Sequence, residues 1–257
     1  MRKIISALLA LCMLLGAMSL SSCAEKSSKE LIDDAIEKTE GLASGEQKGT
    51  ITLAFTMDGK RVEVPISIHV KGEDLDTSSP KIYERMTVRS ADLKYYNATM
   101  YADKDWVYLR QNGVERKMTW GEAGQFGMHP EKDSISVMKK LPSAALVKAK
   151  SIKNEDGSRT VKAELDGDEM QSTYYDLLDA VKDLSGFDKC TCGDGEVEVT
   201  VKNGYITEYN IESKINCKTG NLIIEADMSV KFEIVDPGKA VYVKIPAEYM
   251  SFPLASE

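Results

Sequence analysis

Two runs of alternating apolar and polar residues, separated by Asp58-Gly59, constrain the fold of this chain more than any other feature. Every second residue is apolar within 50–57 and again within 61–70, which is the period of a β-strand with one buried face. Asp-Gly between two such runs is typical of a two-residue hairpin turn. This turn sets Leu53 opposite Val64 and keeps the apolar residues on one face, whereas a slip of one residue would scatter them. The sequence therefore predicts an antiparallel hairpin with a defined register.

The last third of the chain shows the same alternation in consecutive runs. A two-residue loop at Thr219-Gly220 predicts that Ile215 lies opposite Ile224. The apolar residues of both strands then share a face, and the opposite face is polar. This pattern predicts a second hairpin near the C-terminus.

The turn before that hairpin is predicted to have three residues instead of two. A two-residue loop would set Glu198 against Tyr209 on the apolar face, so we expect a three-residue loop at 202–204. Gly204 is then expected in the left-handed conformation. Val197 faces Tyr209 in this register.

Helices are predicted in three places. Ser27 and Glu30 fit a capping box before a run with helical apolar spacing, and Gly41 suits the end of that helix. A longer helix is predicted at 168–184, where apolar residues lie on one face. A weaker one is predicted at 134–141.

The segments between 94 and 120 differ from the hairpins because they are apolar on both faces. Trp106 and Tyr108 fall on one face, while Val107 and Leu109 fall on the other. Such strands are covered on both sides. We expect the 168–184 helix to lie over one of these faces.

The first 22 residues have the features of a secretory signal peptide. Two basic residues precede an apolar run at 4–18, which is shorter than the roughly 20 residues of a membrane-spanning helix. The run closes on Leu-Ser-Ser-Cys at 20–23, which resembles a bacterial lipobox. That resemblance implies cleavage after residue 22 and lipidation of Cys23, with acyl chains such as palmitate. Two or more acyl chains hold a protein stably on a membrane.

Three further cysteines remain in the expected mature chain. The predicted strand registers bring Cys217 near Cys190 and Cys192, and an extracytoplasmic location permits disulfides. We expect Cys217 to bond to Cys190 or Cys192, with Cys190 favoured slightly. The spacing does not fit a zinc knuckle and both histidines are distant in sequence, so no metal is expected.

Composition and motifs exclude several classes of function. The net charge of −8 argues against nucleic-acid binding. The chain contains no H-E-x-x-H, no G-x-S-x-G and no glycine-rich phosphate loop, so we expect neither an enzyme nor a cofactor. A hydrolase would need a nucleophile and a base that the sequence does not supply.

The whole arrangement resembles the LolA and LppX/LprG-type bacterial lipoproteins. The phrases that carry the likeness are Tyr-Ala-Asp-Lys-Asp-Trp-Val-Tyr at 101–108, Val-Lys-Asn-Gly-Tyr-Ile at 201–206 and Val-Lys-Ile-Pro at 243–246. The resemblance implies an α+β fold, in which a curved antiparallel sheet (a half-open β-barrel) has covering helices on its concave side. It implies a tether at 23–28, a single domain at 29–257 and a concave side able to hold acyl chains. That group has no invariant catalytic motif, so only Cys23 is carried over as functional.

These expectations combine into a protein anchored by acyl chains on the extracytoplasmic face of a bacterial membrane, or on the outer membrane in a Gram-negative cell. It would bind a hydrophobic small molecule or lipid in an apolar cavity between the 168–184 helix and the sheet. The expected lining residues are Tyr95, Met100, Trp106, Tyr108, Tyr174 and Leu178. The alternative is a non-catalytic interaction or sensor module with a filled core, whose protein partner the sequence does not identify.

Overall fold

The computed structural model describes residues 26–57, 60–89, 95–124, 145–173, 188–220 and 222–255. Eleven antiparallel strands form one curved sheet that does not close into a barrel. The strands are β1 (Gly45–Met57), β2 (Lys60–Glu73), β3 (Lys81–Val88), β4 (Tyr96–Ala102), β5 (Val107–Gln111), β6 (Val114–Met118), β7 (Leu146–Lys153), β8 (Arg159–Leu165), β9 (Lys189–Lys202), β10 (Tyr205–Thr219) and β11 (Leu222–Val235). The half-open α+β fold expected from the sequence is confirmed.

The sheet consists of two meanders that join at one seam. The strand order is β6-β5-β4-β3-β2-β1-β11-β10-β9-β8-β7. All strands that pair are therefore consecutive in sequence except β1 and β11, and β6 and β7 form the two edges. We call β1–β6 the first wing and β7–β11 the second wing. Consecutive antiparallel strands need only short connections, which accounts for this topology.

The first hairpin has the predicted register. Leu53 of β1 lies opposite Val64 of β2, and Ile51 lies opposite Ile66. The predicted turn at 58–59 lies outside the described residues. The face that carries Ile51 continues across the sheet through Met100 of β4 and Ile211 of β10, and we call it the inner face.

The register predicted for the last hairpin is wrong by two residues. Ile215 lies opposite Ala226, and Cys217 lies opposite Ile224. A slip of two residues keeps every side chain on its own face, so the face pattern does not distinguish the two registers.

The β9–β10 turn is also corrected. It is a two-residue turn in which Asn203 and Gly204 have positive φ, as predicted for Gly204. The additional residue is Thr207, which forms a bulge in β10 and brings Tyr209 opposite Val199 instead of Val197. A second irregularity inside strand β9 sets residues 193–194 against residue 214 of β10.

Four helices accompany the sheet in the described part of the chain. They are α1 (Ser28–Glu40), α2 (Trp120–Gly124), α3 (Gly167–Thr173) and α4 (Ala247–Met250). The predicted capping box is confirmed, since Ser27 and Glu30 exchange hydrogen bonds at the start of α1. Helix α3 is the first part of the helix predicted at 168–184, and the rest of that helix lies outside the described residues, as does the one at 134–141.

The helices divide between the two faces. Ile32 and Ala35 of α1 and Met170 of α3 are buried against the inner face of the second wing, in the larger apolar core. Ala123 of α2 packs on the inner face of the first wing. Helix α4 lies on the outer face, where Tyr249 packs against Tyr108. None of the helices in the described ranges is long and apolar enough to cross a membrane.

Candidate functional site

The inner face of the first wing carries an apolar trough. One row across it, from β3 to β6, consists of Glu84, Met100, Leu109 and Arg116. Because neighbouring strands lie about 4.8 Å apart, the backbones of Glu84 and Arg116, three strands apart, are separated by roughly 14 Å. The trough has a volume of about 360 Å³. It is lined by Glu84, Met86, Tyr96, Ala98, Met100, Leu109, Gln111, Arg116 and Met118.

A packed layer closes one end of the trough. Met118 at the end of β6 is fully buried with Val107 and with Ala123 of α2. Helix α2 begins here because Thr119 and Glu122 exchange hydrogen bonds in a capping arrangement. Helix α2 thus forms the closed end of the trough.

The polar side chains of the trough differ in their surroundings. The amide of Gln111 donates a hydrogen bond of 2.9 Å to the hydroxyl of Tyr96. Glu84 lies opposite Val70 on one side and Met100 on the other, and burial raises the pKa of its carboxyl group. Glu84 has no hydrogen-bond or ion-pair partner among the described residues. Arg116 is exposed on β6, at the edge of the sheet.

Of the residues predicted to line a cavity, the trough contains Met100. Tyr108 and Trp106 were expected beside it, but they pack on the outer face with Tyr249 and Phe252, so this part of the prediction is corrected. The physical reason is strand alternation, because Tyr108 pairs with Tyr101 and both point away from Met100.

The outer aromatic side chains are covered by the C-terminal segment, residues 236–255. Its backbone accepts a hydrogen bond from Lys117 N at Pro253 O, 2.7 Å away, along the edge of β6. Lys117 Nζ lies 4.1 Å from the centre of the Trp106 ring. Strands that are apolar on both faces therefore have two different covers, helix α2 on the inner face and the C-terminal segment on the outer face. The prediction that the 168–184 helix covers them is corrected for its described part, because Met170 of α3 packs in the core of the second wing.

The remaining predicted lining residues do not reach the trough. Tyr95 is 54% exposed ahead of β4, with the guanidinium of Arg89 over its ring, and this prediction is also corrected. Tyr174 and Leu178 lie outside the described residues. Sequence analysis missed Met86, Ala98, Leu109 and Met118, which share the face of Met100. The signal that could have found them is period-two alternation from Met100, combined with the β3–β4 and β4–β5 pairings.

Two larger grooves lie on the outer face, with volumes of about 780 and 720 Å³. Charged and polar side chains dominate both. The first includes Lys48, His69, Glu198, Glu208, Lys231 and Glu233, and the second includes Lys148, Lys150, Lys162, Glu164, Glu196 and Glu212. In both grooves charged side chains lie beside the apolar ones, such as Ile152 and Val197 in the second, whereas most residues of the smaller inner trough are apolar. The inner trough is therefore the better candidate site for a hydrophobic molecule.

The cysteines contribute no reactive group in the described structure. Cys217 lies opposite Cys190 and is bonded to it. Cys192 is a buried free thiol, and burial raises its pKa to about 11, so it is protonated and unreactive at neutral pH. No group of three metal-binding side chains occurs among the described residues.

The fold and the trough define a half-open antiparallel barrel with an apolar site on the inner face of one wing. A family model described as "Family of unknown function (DUF6612)" matches residues 27–251. The chain belongs to this family. No curated protein matches the chain.

Among solved structures, the chain is similar to LprF from Mycobacterium bovis, with 13% identity and a TM-score of 0.45 over 86% of this chain and 97% of that one. It is also similar to a DUF1329 family protein from Desulfovibrio piger, with 8% identity and a TM-score of 0.27 over 81% and 91% of the two chains. A domain named for outer membrane lipoprotein sorting, from Vibrio parahaemolyticus, gives 8% identity and a TM-score of 0.26 over 83% and 95%. At these TM-scores the likenesses say nothing of what this chain binds.

Proposed function

We propose that this protein is a lipid-anchored extracytoplasmic protein that binds a hydrophobic ligand, a lipid, in the inner trough of its first wing, without catalysing a reaction. The observation that carries the proposal is the trough itself, whose floor is formed by Met86, Met100 and Leu109. Its volume of about 360 Å³ lies at the lower end of the range of roughly 300–1,000 Å³ that is usual for small-molecule sites.

Methionine side chains suit a flexible ligand. They are unbranched and polarisable, so they adapt to apolar chains of different shape. Met86 and Met100 are only partly buried, so they can still exchange water for an apolar ligand. Binding would then be driven by the burial of apolar surface, at about 25 cal/mol per Å².

The second wing favours the alternative, an interaction module with a filled core. Its inner face is packed solidly around Val199, Ile211 and Val230, beneath α1 and α3. A protein of this kind needs no ligand. The two functions therefore differ in one property, which is whether the trough of the first wing is occupied by a small molecule.

Mass spectrometry of the full-length protein, purified from bacterial membranes in mild detergent, tests the ligand. We expect a lipid to co-purify with the wild type and to be lost from Met100→Trp, because the indole fills the trough. Ile223→Trp is the matched control, since Ile223 is 64% exposed in the other wing. If Met100→Trp retains as much lipid as Ile223→Trp, or if the wild type contains no lipid, the interaction module is favoured.

The anchor is tested separately. Cys23→Ala should abolish fatty-acid labelling and leave an uncleaved precursor or a protein released from the membrane fraction. A Cys23→Ala protein that is still cleaved, labelled and membrane-bound would rule out the lipobox interpretation.

A further inference from the structure

Glu84 is an unusual residue for the floor of an apolar trough. Its neighbours across the strands are Val70 and Met100, and along β3 they are Ile82 and Met86. No described side chain forms a hydrogen bond or an ion pair with its carboxyl group. Glu84 is partly buried, and partial desolvation of its carboxyl group without a compensating partner accounts for its raised pKa.

The other polar groups of the trough cannot satisfy this carboxyl group. The Gln111 amide donates to Tyr96. Arg116 is exposed on the edge strand at the far end of the row, with a backbone separation of roughly 14 Å from Glu84, and it forms no ion pair with that carboxyl group. A ligand can supply the missing partner.

We infer, on the basis of the proposed function, that the hydrophobic ligand carries an amine whose ammonium group pairs with Glu84. The apolar chain of this ligand lies over Met100 and Leu109 and points towards Arg116 at the rim. A charged donor next to a carboxylate in a water-poor site forms a strong hydrogen bond.

A fatty acid fits this trough less well. Its carboxylate would be drawn to Arg116, and its apolar end would then lie against the unpaired carboxyl group of Glu84. In the reverse orientation two carboxyl groups would face each other. An uncharged alcohol can donate one weak hydrogen bond to Glu84, so it should bind between the amine and the acid.

The test compares three probes of equal chain length: dodecylamine, dodecanol and dodecanoate. Their affinities for the full-length protein are measured at pH 7 by displacement of a fluorescent apolar dye, below the concentration at which each probe aggregates. We expect dodecylamine to bind at one site per protein and at least tenfold more tightly than dodecanol. Glu84→Gln should remove this preference and leave dodecanol binding within about twofold of wild type.

A matched control excludes attraction of the amine by the acidic surface. Glu225→Gln changes the net charge by the same amount on an exposed part of β11, and it should retain the full amine preference. Glu84→Gln removes a carboxyl group without a described partner, so we expect it to fold. If it did not, the wild-type ranking of the three probes would still decide the question.

Two failures are distinguishable. If dodecanol binds but the amine has no advantage over it, or if Glu84→Gln keeps that advantage, the trough binds apolar molecules and the amine assignment is wrong. If none of the probes displaces the dye, or if Met100→Trp binds them unchanged, the proposed function fails and the amine assignment fails with it.

Discussion

Gly49 shows how closely the inner face is packed at a single residue. A Cβ atom placed on Gly49 would overlap the carbonyl oxygen of Lys231 and the ring of Phe232. The absent side chain lets that ring lie across β1, where it stacks on Tyr209 with 5.3 Å between ring centres. The hydroxyl of Tyr209 in turn accepts a hydrogen bond from buried Gln47.

Gly49→Ala should therefore lower the free energy of unfolding by about 1–3 kcal/mol, the usual effect of overpacking a core. Gly45→Ala is the matched control on the same strand, because a Cβ there meets nothing within 4 Å. Urea unfolding measures both variants. Equal stability of the two alanine variants would contradict the close contact at Gly49.

Glu46 is the second residue whose surroundings make a quantitative prediction. Burial raises the pKa of its carboxyl group, but hydrogen bonds from Lys48, His69 and Lys71 outweigh burial and bring the pKa from 4.5 to about 2. Since the pKa is lower in the folded state, the stabilisation is complete above pH 4.5 and is lost as the pH falls towards 2. The shift sets an upper bound of about 3 kcal/mol.

Because Lys48 and Lys71 are partly exposed, we expect Glu46→Gln to cost about 1–2 kcal/mol at pH 7. The difference from wild type should shrink when urea unfolding is repeated at pH 3. Glu63→Gln, in an exposed pair with Arg61, should change little at either pH. A loss at Glu46 that does not depend on pH would mean that packing, and not charge, is responsible.

At the scale of elements, the disulfide links β9 to β10 beyond the irregularity at residues 193–194. Cys190 and Cys217 are 27 residues apart, and closing a loop of that length in the unfolded chain corresponds to about 3.5 kcal/mol. Replacing both cysteines by alanine should lower the free energy of unfolding by about 2–4 kcal/mol.

Cys192→Ala is the control, because Cys192 is buried but unbonded. It should lose only the packing of one sulfur atom, less than the double variant. Thiol titration checks the pairing independently, since the mature wild type should expose one thiol on unfolding without reductant. Three free thiols from an oxidising compartment would contradict the bond.

The same two strands show which parts of an element can be predicted from sequence. Apolar alternation assigned the face of Ile215 correctly but not its partner, because a two-residue slip leaves every face unchanged. Apolar alternation also indicated that one residue near Gly204 has no partner on the opposite strand, but we predicted that this residue lies in the turn. The chain accommodates it as a bulge at Thr207, which alternation alone cannot distinguish from a longer loop.

The candidate site was predictable to a similar extent. Strands with two apolar faces predicted a site within the stretch of chain where the trough lies, and Met100, one of the residues named, lines that trough. Each of these strands has two alternating sets of apolar residues, and the set that faces inward depends on how β3, β4 and β5 pair. The connections between these strands contain no turn signal as clear as Asp58-Gly59, so the pairing could not be predicted. Glu84 could not be recognised as unpaired before its neighbours were known.

At the scale of the whole molecule, the two wings are unequally packed. The second wing shares one large apolar core with α1 and α3, centred on residues such as Val199 and Ile211, and this core extends to Ile51 of β1. The first wing has two smaller clusters, one on each face of its sheet. Local unfolding of a segment becomes rarer when more apolar contacts must break. The second wing should therefore unfold locally less often than the first wing.

Hydrogen–deuterium exchange should therefore be slower in β9–β11 than in β4–β6 of the ligand-free protein. A ligand in the trough contacts only the first wing, and by mass action it stabilises the states that bind it. Dodecylamine should then slow exchange in β4–β6 and leave β9–β11 unchanged, and Met100→Trp should abolish the effect. Uniform slowing of both wings would instead indicate global stabilisation. A ligand-free protein in which β4–β6 exchange as slowly as β9–β11 would contradict the unequal packing of the two wings.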